Sequence, residues 1–452
     1  MKGSWLGLVV MVLAVAAWMV VWHVGVLGTA AQKDRDGWLP PNIQTLQFPI
    51  GNPVSLTKGD FNADGSTDLF MITDANRPDW FRGIPSKDYE IRFYVLMGEG
   101  KGWKDPVQVG SWPAPGLVLY LDALTEGVDL DGDGNEDVVV LLTFYPVVKP
   151  PQMLDLNNQE NHLFVFWGRG DGTFTMEHVM DVDVGMIPPS IIAAADFTGD
   201  GRLDLAWNDP QRGEIQVFYN LGDRKFDGPH AVKVYEDKDS CFPLPLTFAS
   251  GRFDERRIGK ELVVLGTCVY GTNDFGQFMR VLSPCGQGCW ERSPLLLTKG
   301  RTSDLLQAES TRLLIRDFDG DGHTDLLYGT LFGVEQPKEL GEKGKELMAV
   351  YLRKGDGQGG FAAPQLVGEV ESGSLLSAEQ RPDGWEILLA SFSGELVVEE
   401  VKEDGTGTST SIPVRGDAIT AVLVDQNKVV IVSSPNTGKE VTWLNVITRR
   451  TP

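Results

Sequence analysis

The residues with the clearest chemical potential are aspartates in four short loops that share one pattern. The pattern is D-x-[DNT]-x-D-G-x-x-D, and its first aspartate falls at residues 60, 129, 196 and 317. Side chains at positions 1, 3, 5 and 9 can converge on one ion, and the carbonyl oxygen of position 7 adds another ligand. Calcium suits such a set because it accepts about six to eight oxygen ligands in flexible geometry. Glycine at position 6 permits the sharp turn that a side chain would obstruct.

The predicted calcium ligands follow this pattern in every loop, with position 7 contributing its backbone carbonyl. Loops 2 and 4 carry carboxylates at all four side-chain positions, whereas loop 1 has an asparagine and loop 3 a threonine at position 3. Because calcium affinity follows ligand charge, we expect loops 2 and 4 to bind most tightly. The predicted ligands are Asp60, Asn62, Asp64, Ser66 and Asp68 in loop 1; Asp129, Asp131, Asp133, Asn135 and Asp137 in loop 2; Asp196, Thr198, Asp200, Arg202 and Asp204 in loop 3; and Asp317, Asp319, Asp321, His323 and Asp325 in loop 4.

Two other interpretations of the loops are available. Transition metals favour His or Cys side chains, and none of the side-chain ligands at positions 1, 3, 5 and 9 is either. An EF-hand needs a glutamate at position 12 and flanking helices, but position 12 is Met71, Val140, Trp207 or Tyr328, and the flanking runs are of the β type. Aspartate- and glycine-rich turns that bind no metal remain the alternative.

The elements that position the loops belong to a repeat that runs the length of the chain. The first aspartates are spaced by 69, 67 and 121 residues, and a copy without the acidic pattern fills the longest gap at residues 249–265. Two weaker copies follow at residues 378–400 and 420–447. Repeats of this period indicate a solenoid or a propeller, and the total is seven repeats, four of them with intact loops.

Each repeat resolves into four short β segments, called a to d below. In residues 190–235 these are SIIAAADF, LDLAWND, EIQVFYNLG and PHAVKVY, separated by turn residues. Four-stranded repeats of this kind form β-propeller blades, so we predict an all-β fold, a seven-bladed β-propeller of four-stranded blades. An open solenoid is the alternative. Because the last repeat lacks its fourth strand, we expect residues 43–49 to supply it and to close the propeller, which leaves no exposed edge.

On these motifs the sequence resembles the FG-GAP (VCBS-type) repeat family, which includes the propeller of integrin α subunits. The resemblance covers nearly all of residues 41–452, strongly in four repeats and poorly in three. It implies calcium in the a–b hairpins on one face of a seven-bladed propeller, and no metal in the three degenerate repeats. In the integrin relatives the opposite face binds protein ligands.

The N-terminus predicts export. From Trp5 to Ala31 the chain carries no formal charge, and only Lys2 precedes this run. The run is long enough to cross a bilayer as a helix, although Ala30-Ala31 would also suit cleavage of a signal peptide; a buried core helix is the third interpretation. We therefore divide the chain into a signal anchor or signal peptide at residues 1–31 and a propeller at residues 32–452. Either of the first two interpretations places the propeller outside the cytoplasm, at the membrane or secreted.

The cysteines fit an oxidising compartment. All four lie within one window of the chain, and they allow three pairings. A staple between the last two, which flank Gly-Gln-Gly, would leave the first two to pair; unpaired or buried thiols are the alternative. The cysteines are Cys241, Cys268, Cys285 and Cys289.

A partner would bind on the long loops between strands b and c. Strand alternation places these loops on the face opposite the calcium loops, and long loops on a rigid scaffold usually carry function. Aromatic residues there suit a binding hot spot, although insertion without a ligand is the alternative. The candidate partner-binding residues are Trp80, Phe81, Tyr89 and Tyr145.

Composition and missing motifs narrow the function. A net charge of −23 argues against nucleic acid as a partner. No GxSxG elbow, HExxH motif or P-loop occurs, and the histidines lie far apart in sequence. We expect a calcium-binding, membrane-associated scaffold at the cell surface that binds a protein or glycan and is not an enzyme. The alternative is a carbohydrate-active propeller, either a polysaccharide lyase or a hydrolase.

Overall fold

The structure is a computed structural model, and it describes the chain from residue 43 to residue 448 with gaps. The described residues are 43–78, 84, 86–100, 102–114, 117–124, 126–148, 158–182, 192–236, 242–269, 275–299, 313–330, 347–371, 373–382, 384–391, 395–402, 407–425, 428–434 and 440–448. The predicted N-terminal anchor or signal at residues 1–31 lies outside them. Nothing in the described part of the chain forms a helix of the length and apolarity needed to cross a bilayer.

Every regular element among the described residues is a β-strand. The strands of the first half are β1 (Ile43–Phe48), β2 (Asn52–Gly59), β3 (Asp68–Ala75), β4 (Glu90–Leu96), β5 (Gly98–Glu99), β6 (Gly102–Trp103), β7 (Val107–Pro113), β8 (Leu117–Ala123), β9 (Val138–Pro146), β10 (Glu160–Gly168), β11 (Phe174–Asp181), β12 (Ile192–Ala195), β13 (Asp204–Asp209), β14 (Glu214–Gly222) and β15 (Lys225–Lys233). The strands of the second half are β16 (Phe242–Gly251), β17 (Glu261–Val269), β18 (Phe275–Gly286), β19 (Cys289–Arg292), β20 (Leu296–Lys299), β21 (Leu314–Arg316), β22 (Asp325–Thr330), β23 (Leu347–Arg353), β24 (Gln365–Glu371), β25 (Gly373–Arg381), β26 (Gly384–Ser391), β27 (Glu395–Lys402), β28 (Gly407–Pro413), β29 (Asp417–Asp425), β30 (Lys428–Ser434) and β31 (Thr442–Thr448).

These strands form seven blades, numbered in chain order, so the predicted seven-bladed β-propeller is confirmed. Blade 1 is β2-β3-β4-β7, blade 2 is β8 to β11, blade 3 is β12 to β15, and blade 4 is β16 to β19 with β20 added against β18. Blade 5 is β21 to β24, blade 6 is β25 to β28, and blade 7 is β29-β30-β31-β1. Blade 3 reproduces the four segments predicted from residues 190–235, except that its outer strand begins earlier, at Lys225.

The burial of the strands explains their composition. Strands in the b position, such as β3 and β9, are buried along almost their whole length, and most of their residues are apolar. Outer strands such as β11 alternate between half-buried and exposed residues, as expected when one face meets water. The buried b strands therefore anchor the a–b loops that precede them in the chain.

The chain divides into two compact units. One unit contains blades 3 to 6 and the other contains blades 1, 2 and 7. Within each unit, neighbouring blades share an apolar core. Phe70, Phe93 and Phe166, for example, pack together between blades 1 and 2, and Val217 and Val264 lie in one cluster between blades 3 and 4.

The N-terminal strand completes the last blade, as the sequence predicted. Strand β1 pairs antiparallel with β31, with Ile43 opposite Ile447 and Phe48 opposite Thr442. The hydroxyl of Thr442 also donates to the carbonyl of Gly51 at 2.9 Å. Blade 7 is therefore built from both ends of the propeller sequence.

The cysteine staple is confirmed for the last two cysteines. Cys285 and Cys289 form a disulfide across the tight connection between β18 and β19. Cys268 is also disulfide-bonded, while Cys241 lies outside the described residues.

Candidate metal sites

The four aspartate loops connect strand a to strand b of their blades. Loop 1 joins β2 to β3, loop 2 joins β8 to β9, loop 3 joins β12 to β13, and loop 4 joins β21 to β22. In each case position 9 is at or immediately before the first residue of the buried b strand. The ligands of a loop are therefore held by one rigid hairpin.

The aspartate at position 1 closes each loop through backbone hydrogen bonds. Its Oδ2 accepts the N–H of the glycine at position 6, at 2.9 Å in loop 1, 3.0 Å in loop 2, and 2.9 Å in loops 3 and 4. These glycines have φ between 81° and 91°, a conformation that side chains disfavour. The backbone at position 6 thus has the conformation for which the pattern predicted glycine.

The aspartate at position 5 closes the next turn in the same way. Its Oδ1 accepts the N–H of position 7, at distances between 2.7 and 2.9 Å in the four loops. Four sequences that differ at the variable positions therefore adopt one hydrogen-bonding scheme. These carboxylate oxygens have further lone pairs, which remain available to a cation.

The aspartate at position 9 is buried and tethers the loop to strand c. One oxygen accepts the N–H of position 2 at 2.9–3.0 Å, and the other accepts an N–H at the end of strand c at 2.6–2.9 Å. These buried side chains are Asp68, Asp137, Asp204 and Asp325, each at most 1% exposed.

The electrostatics of the buried acids favour a cation. Burial raises the pKa of Asp137 to about 7 and that of Asp204 to about 6, although backbone N–H groups oppose the shift. Burial raises the pKa of Asp68 as well. Other carboxylates of the same loop raise these pKa values further. A divalent ion would stabilise the ionised forms and reverse the shifts.

Loops 2 and 4 bring three carboxylates to a common point. In loop 2 the oxygens of Asp129, Asp131 and Asp137 lie within 4.8 Å of one another. In loop 4 the same holds for Asp317, Asp319 and Asp325. An all-oxygen set with this separation fits calcium, whose bonds to oxygen are about 2.3–2.6 Å long.

Three of the loops place a nitrogen donor beside one of their predicted ligands. In loop 1 the amide of Asn62 donates to Asp64 Oδ2 at 3.0 Å. In loop 3 the guanidinium of Arg202 pairs with the carboxylate of Asp200. In loop 4 Lys354 Nζ lies 2.8 Å from Asp319 Oδ2. An amide or a cation thus contacts a predicted ligand in each of these three loops.

The corresponding loop of blade 4 keeps the tether and substitutes arginine for the acidic pattern. Glu261 occupies the buried place of position 9, and its Oε2 accepts the N–H of Phe253 at 2.9 Å. Arg256 donates to both oxygens of Asp254, at 2.7 and 2.8 Å. This pairing lowers the pKa of Asp254 to about 2. A guanidinium therefore supplies positive charge in a loop that the resemblance predicts to be metal-free.

The predicted partner-binding aromatics need revision. Tyr89 and Tyr145 are 1% and 2% exposed, and the hydroxyl of Tyr89 donates to buried Asp74 at 3.1 Å. Tyr145 lies within β9 and Tyr89 directly precedes β4, so both rings belong to the core and neither is a surface contact in this structure. Trp80 and Phe81 lie outside the described residues.

Sequence reasoning missed one cluster. His162, His178 and Asp181 offer ligand atoms within 4.8 Å of one another on the hairpin of β10 and β11, although the histidines are distant in sequence. The signal that could have found them is the hairpin register, which places His162 opposite Asp181.

Comparisons with known proteins give one family match and several solved structures of low similarity. Residues 129–207 match the family model of the FG-GAP-like repeat, and no curated protein sequence matches the chain. The solved structures that resemble it include the BP39L lectin from Burkholderia pseudomallei, at 12% identity, 89% coverage of this chain, 98% of that chain and a TM-score of 0.49.

Two further solved structures are similar at low identity. One is the periplasmic gluconolactonase PpgL of Pseudomonas aeruginosa, at 14% identity over 79% of this chain and 85% of that chain, with a TM-score of 0.41. The other is a putative 6-phosphogluconolactonase from Bacteroides fragilis, at 14% identity over 80% and 96%, with a TM-score of 0.38. The chain is thus a seven-bladed β-propeller in which residues 129–207, from loop 2 to just beyond loop 3, match the FG-GAP-like repeat.

Proposed function

We propose that the protein is an exported calcium-binding β-propeller that serves as a binding scaffold for a protein or a glycan. The observation that carries the proposal is the convergence of three carboxylates in loop 2 and again in loop 4. Like charges held this close repel one another unless a cation lies between them. Calcium is the cation whose ligand preferences match an all-oxygen set in a short flexible loop.

The carboxylates of each loop have different roles. The carboxylate at position 1 shapes the loop through the N–H of position 6, and the carboxylate at position 5 fixes the following turn. The buried carboxylate at position 9 ties the loop to strand c. Calcium would supply the positive charge that lets these groups remain ionised together. Binding would therefore stabilise the folded protein as well as occupy a site.

Calcium at these hairpins supports a scaffold role. In an antiparallel blade the a–b hairpin and the b–c connection lie at opposite ends of strand b. The connections from β3 to β4, β9 to β10 and β22 to β23 are long in comparison with the tight β14–β15 turn. Long loops at one end of rigid strands are the usual place for recognition. Export is proposed from the uncharged run of residues 5–31, and it would place the loops where calcium is abundant.

Thermal unfolding of the full chain tests the proposal. We expect calcium to raise the midpoint relative to chelator, and magnesium at the same concentration to raise it less, because magnesium demands a stricter octahedral geometry. The double variant Asp131→Asn/Asp319→Asn should lose part of the calcium effect, because it lowers the negative charge of the two most acidic loops. The control Asp223→Asn changes an aspartate of the β14–β15 turn with a φ of 52°, which asparagine tolerates, and should respond like the unmodified protein. A midpoint that calcium and chelator leave equal would refute the proposal.

The scaffold role needs a separate measurement. Binding of the calcium-loaded protein to arrays of glycans and of envelope proteins should be lost on chelation and restored by calcium. Retention that is identical in chelator would show that the loops do not support the binding face.

A further inference from the structure

A second cluster of possible metal ligands lies on the hairpin of β10 and β11 in blade 2. Asp181 Oδ1 lies 2.7 Å from His162 Nδ1 and 3.1 Å from His178 Nε2. The two imidazole centroids are 5.2 Å apart. His162 is at the start of strand c and Asp181 at the end of strand d, so the cluster occupies the end of the blade away from loop 2.

A bulge in the hairpin creates the cluster. The register runs Leu163 opposite Met180 and then Phe164 opposite His178, which leaves Val179 as the extra residue. Directly opposed residues of an antiparallel pair face the same side, and a one-residue slip reverses the side. Without the bulge His178 would face away from His162. The bulge therefore brings the second imidazole to the face that carries His162 and Asp181.

Neighbouring aromatic rings hold the imidazoles in place. The Trp112 ring lies 5.6 Å from His162 and 6.0 Å from His178. Phe164 lies 5.2 Å from His178, and Phe144 lies 5.9 Å from His162. An apolar wall of this kind limits the rotation of the imidazoles and lowers the local dielectric, which strengthens the bonds of a cation to the cluster.

A carboxylate also stands behind one imidazole. Glu160 Oε2 lies 3.6 Å from His162 Nε2, the nitrogen that faces away from Asp181. Metal-binding histidines usually direct their second ring nitrogen to a carboxylate or carbonyl, which fixes the tautomer and raises the basicity of the ligand. Glu160 is placed to serve as such a positioning residue.

We propose that this cluster binds a zinc ion through His162 Nδ1, His178 Nε2 and a carboxylate oxygen of Asp181. Two imidazoles and a carboxylate suit zinc, whereas calcium prefers oxygen ligands alone. Three protein ligands leave a fourth tetrahedral position for water or for an atom of a bound partner. Because His178 and Asp181 are exposed, that position opens to solvent on the face where the scaffold is proposed to bind.

Calorimetric titration of the full chain with zinc, at saturating calcium, tests the site. We expect the unmodified protein to bind one equivalent of zinc. His178→Ala should abolish binding or lower the zinc affinity roughly 100-fold, and Glu160→Gln should lower it about tenfold, because Glu160 orients His162 and does not bind the zinc itself. The control is His230→Ala, because His230 contacts the carboxylate of Asp227 at 3.1 Å and belongs to no three-ligand cluster among the described residues. His230→Ala should bind zinc as the unmodified protein does.

The outcomes are decisive because His178 is on the surface of an outer strand. Circular dichroism should show that His178→Ala remains folded, so that a loss of zinc reports the ligand. Zinc binding that survives in His178→Ala and in His162→Gln would overturn the site, as would no zinc uptake by the unmodified protein. None of these variants changes an aspartate loop, so a loss of zinc confined to them is independent of whether the calcium proposal holds.

Discussion

At the scale of single residues, the loops depend on carboxylates that are already committed to backbone N–H groups. Asp129 accepts the amides of Gly132 and Gly134 at 2.8 and 3.0 Å, so its orientation is fixed before any cation arrives. Asp131 accepts the amide of Asp133 at 3.2 Å. Such preorganisation reduces the entropy that binding must overcome. The calcium affinity of a loop is then predicted to depend on the charge of its ligands and on the charged groups beside them.

Removing one charge from loop 2 should weaken calcium binding. Asp131→Asn keeps an oxygen that can accept the amide of Asp133, and it deletes a negative charge from the ligand set. We expect the affinity of this loop to fall about tenfold, measured by calorimetry. Asp223→Asn serves as the control with the same charge change. Equal losses in both variants would mean that net charge, rather than ligation, governs uptake.

Removing Lys354 should strengthen loop 4. Its ammonium group lies 2.8 Å from Asp319 Oδ2, so calcium has to compete with it for a predicted ligand. We expect Lys354→Met to raise the affinity of this loop by about two- to fivefold, the equivalent of one exposed ion pair. Lys402→Met, at the end of β27, should have no effect. An unchanged affinity in Lys354→Met would show that the lysine and calcium do not share the carboxylate.

At the scale of elements, the buried acid at position 9 ties the loop to strand c, and in the intact loops we propose that it also supports calcium binding. Blade 4 makes this visible, because Glu261 keeps the tie to Phe253 although the surrounding acidic pattern is gone. Under the calcium proposal the acid would serve two purposes where the loop is intact and one where it is degenerate. The difference can be measured.

Truncating the tie should destabilise both kinds of blade but alter calcium dependence in one. Glu261→Ala and Asp137→Ala each leave backbone N–H groups without their acceptor, which costs about 2–4 kcal/mol. We expect urea unfolding in chelator to show this loss for both variants. Only Asp137→Ala should also lose part of the stabilisation by calcium. A calcium response reduced equally by Glu261→Ala would place a metal in blade 4 and contradict the assignment.

The sequence predicted these elements well where the chemistry is local. The a–b hairpins, the strands of blade 3 and the staple of Cys285 with Cys289 follow from turn residues, apolar runs and spacing. It failed where the outcome depends on packing across strands. The sequence predicted that Tyr89 and Tyr145 lie on exposed loops, yet both are buried at strand ends. The proximity of His162 to His178 depends on one β-bulge, and no residue pattern in the sequence predicts that bulge.

At the scale of the whole molecule, the repeat count and the missing last strand together predicted blade 7. No local pattern in residues 43–49 identifies their partner, but an unpaired edge is costly enough that the fold had to supply one. Phe48 is buried and packs in a cluster with Leu56 and Leu444. Strand β1 thereby contributes to the core that blades 7 and 1 share.

Strand β1 should contribute to the stability of the fold through its buried apolar side chain. Phe48→Ala removes a buried ring and should cost about 3–5 kcal/mol of unfolding free energy, whereas Gln47→Ala, exposed on the same strand, should cost little. Urea unfolding of the full chain compares them. Similar stabilities would mean that β1 is peripheral to the fold.

The measurement that bears most directly on the account is the amount of calcium bound per chain by equilibrium dialysis. At millimolar free calcium, where weak extracellular sites fill, we predict close to four equivalents for the full chain. Asp131→Asn/Asp319→Asn should bind a similar number but lose the higher affinity of loops 2 and 4, because Asn62 holds the same position in loop 1. The unmodified chain should bind its first two equivalents most tightly, in loops 2 and 4. A chain that binds no calcium at this concentration would contradict the assignment of the aspartate loops.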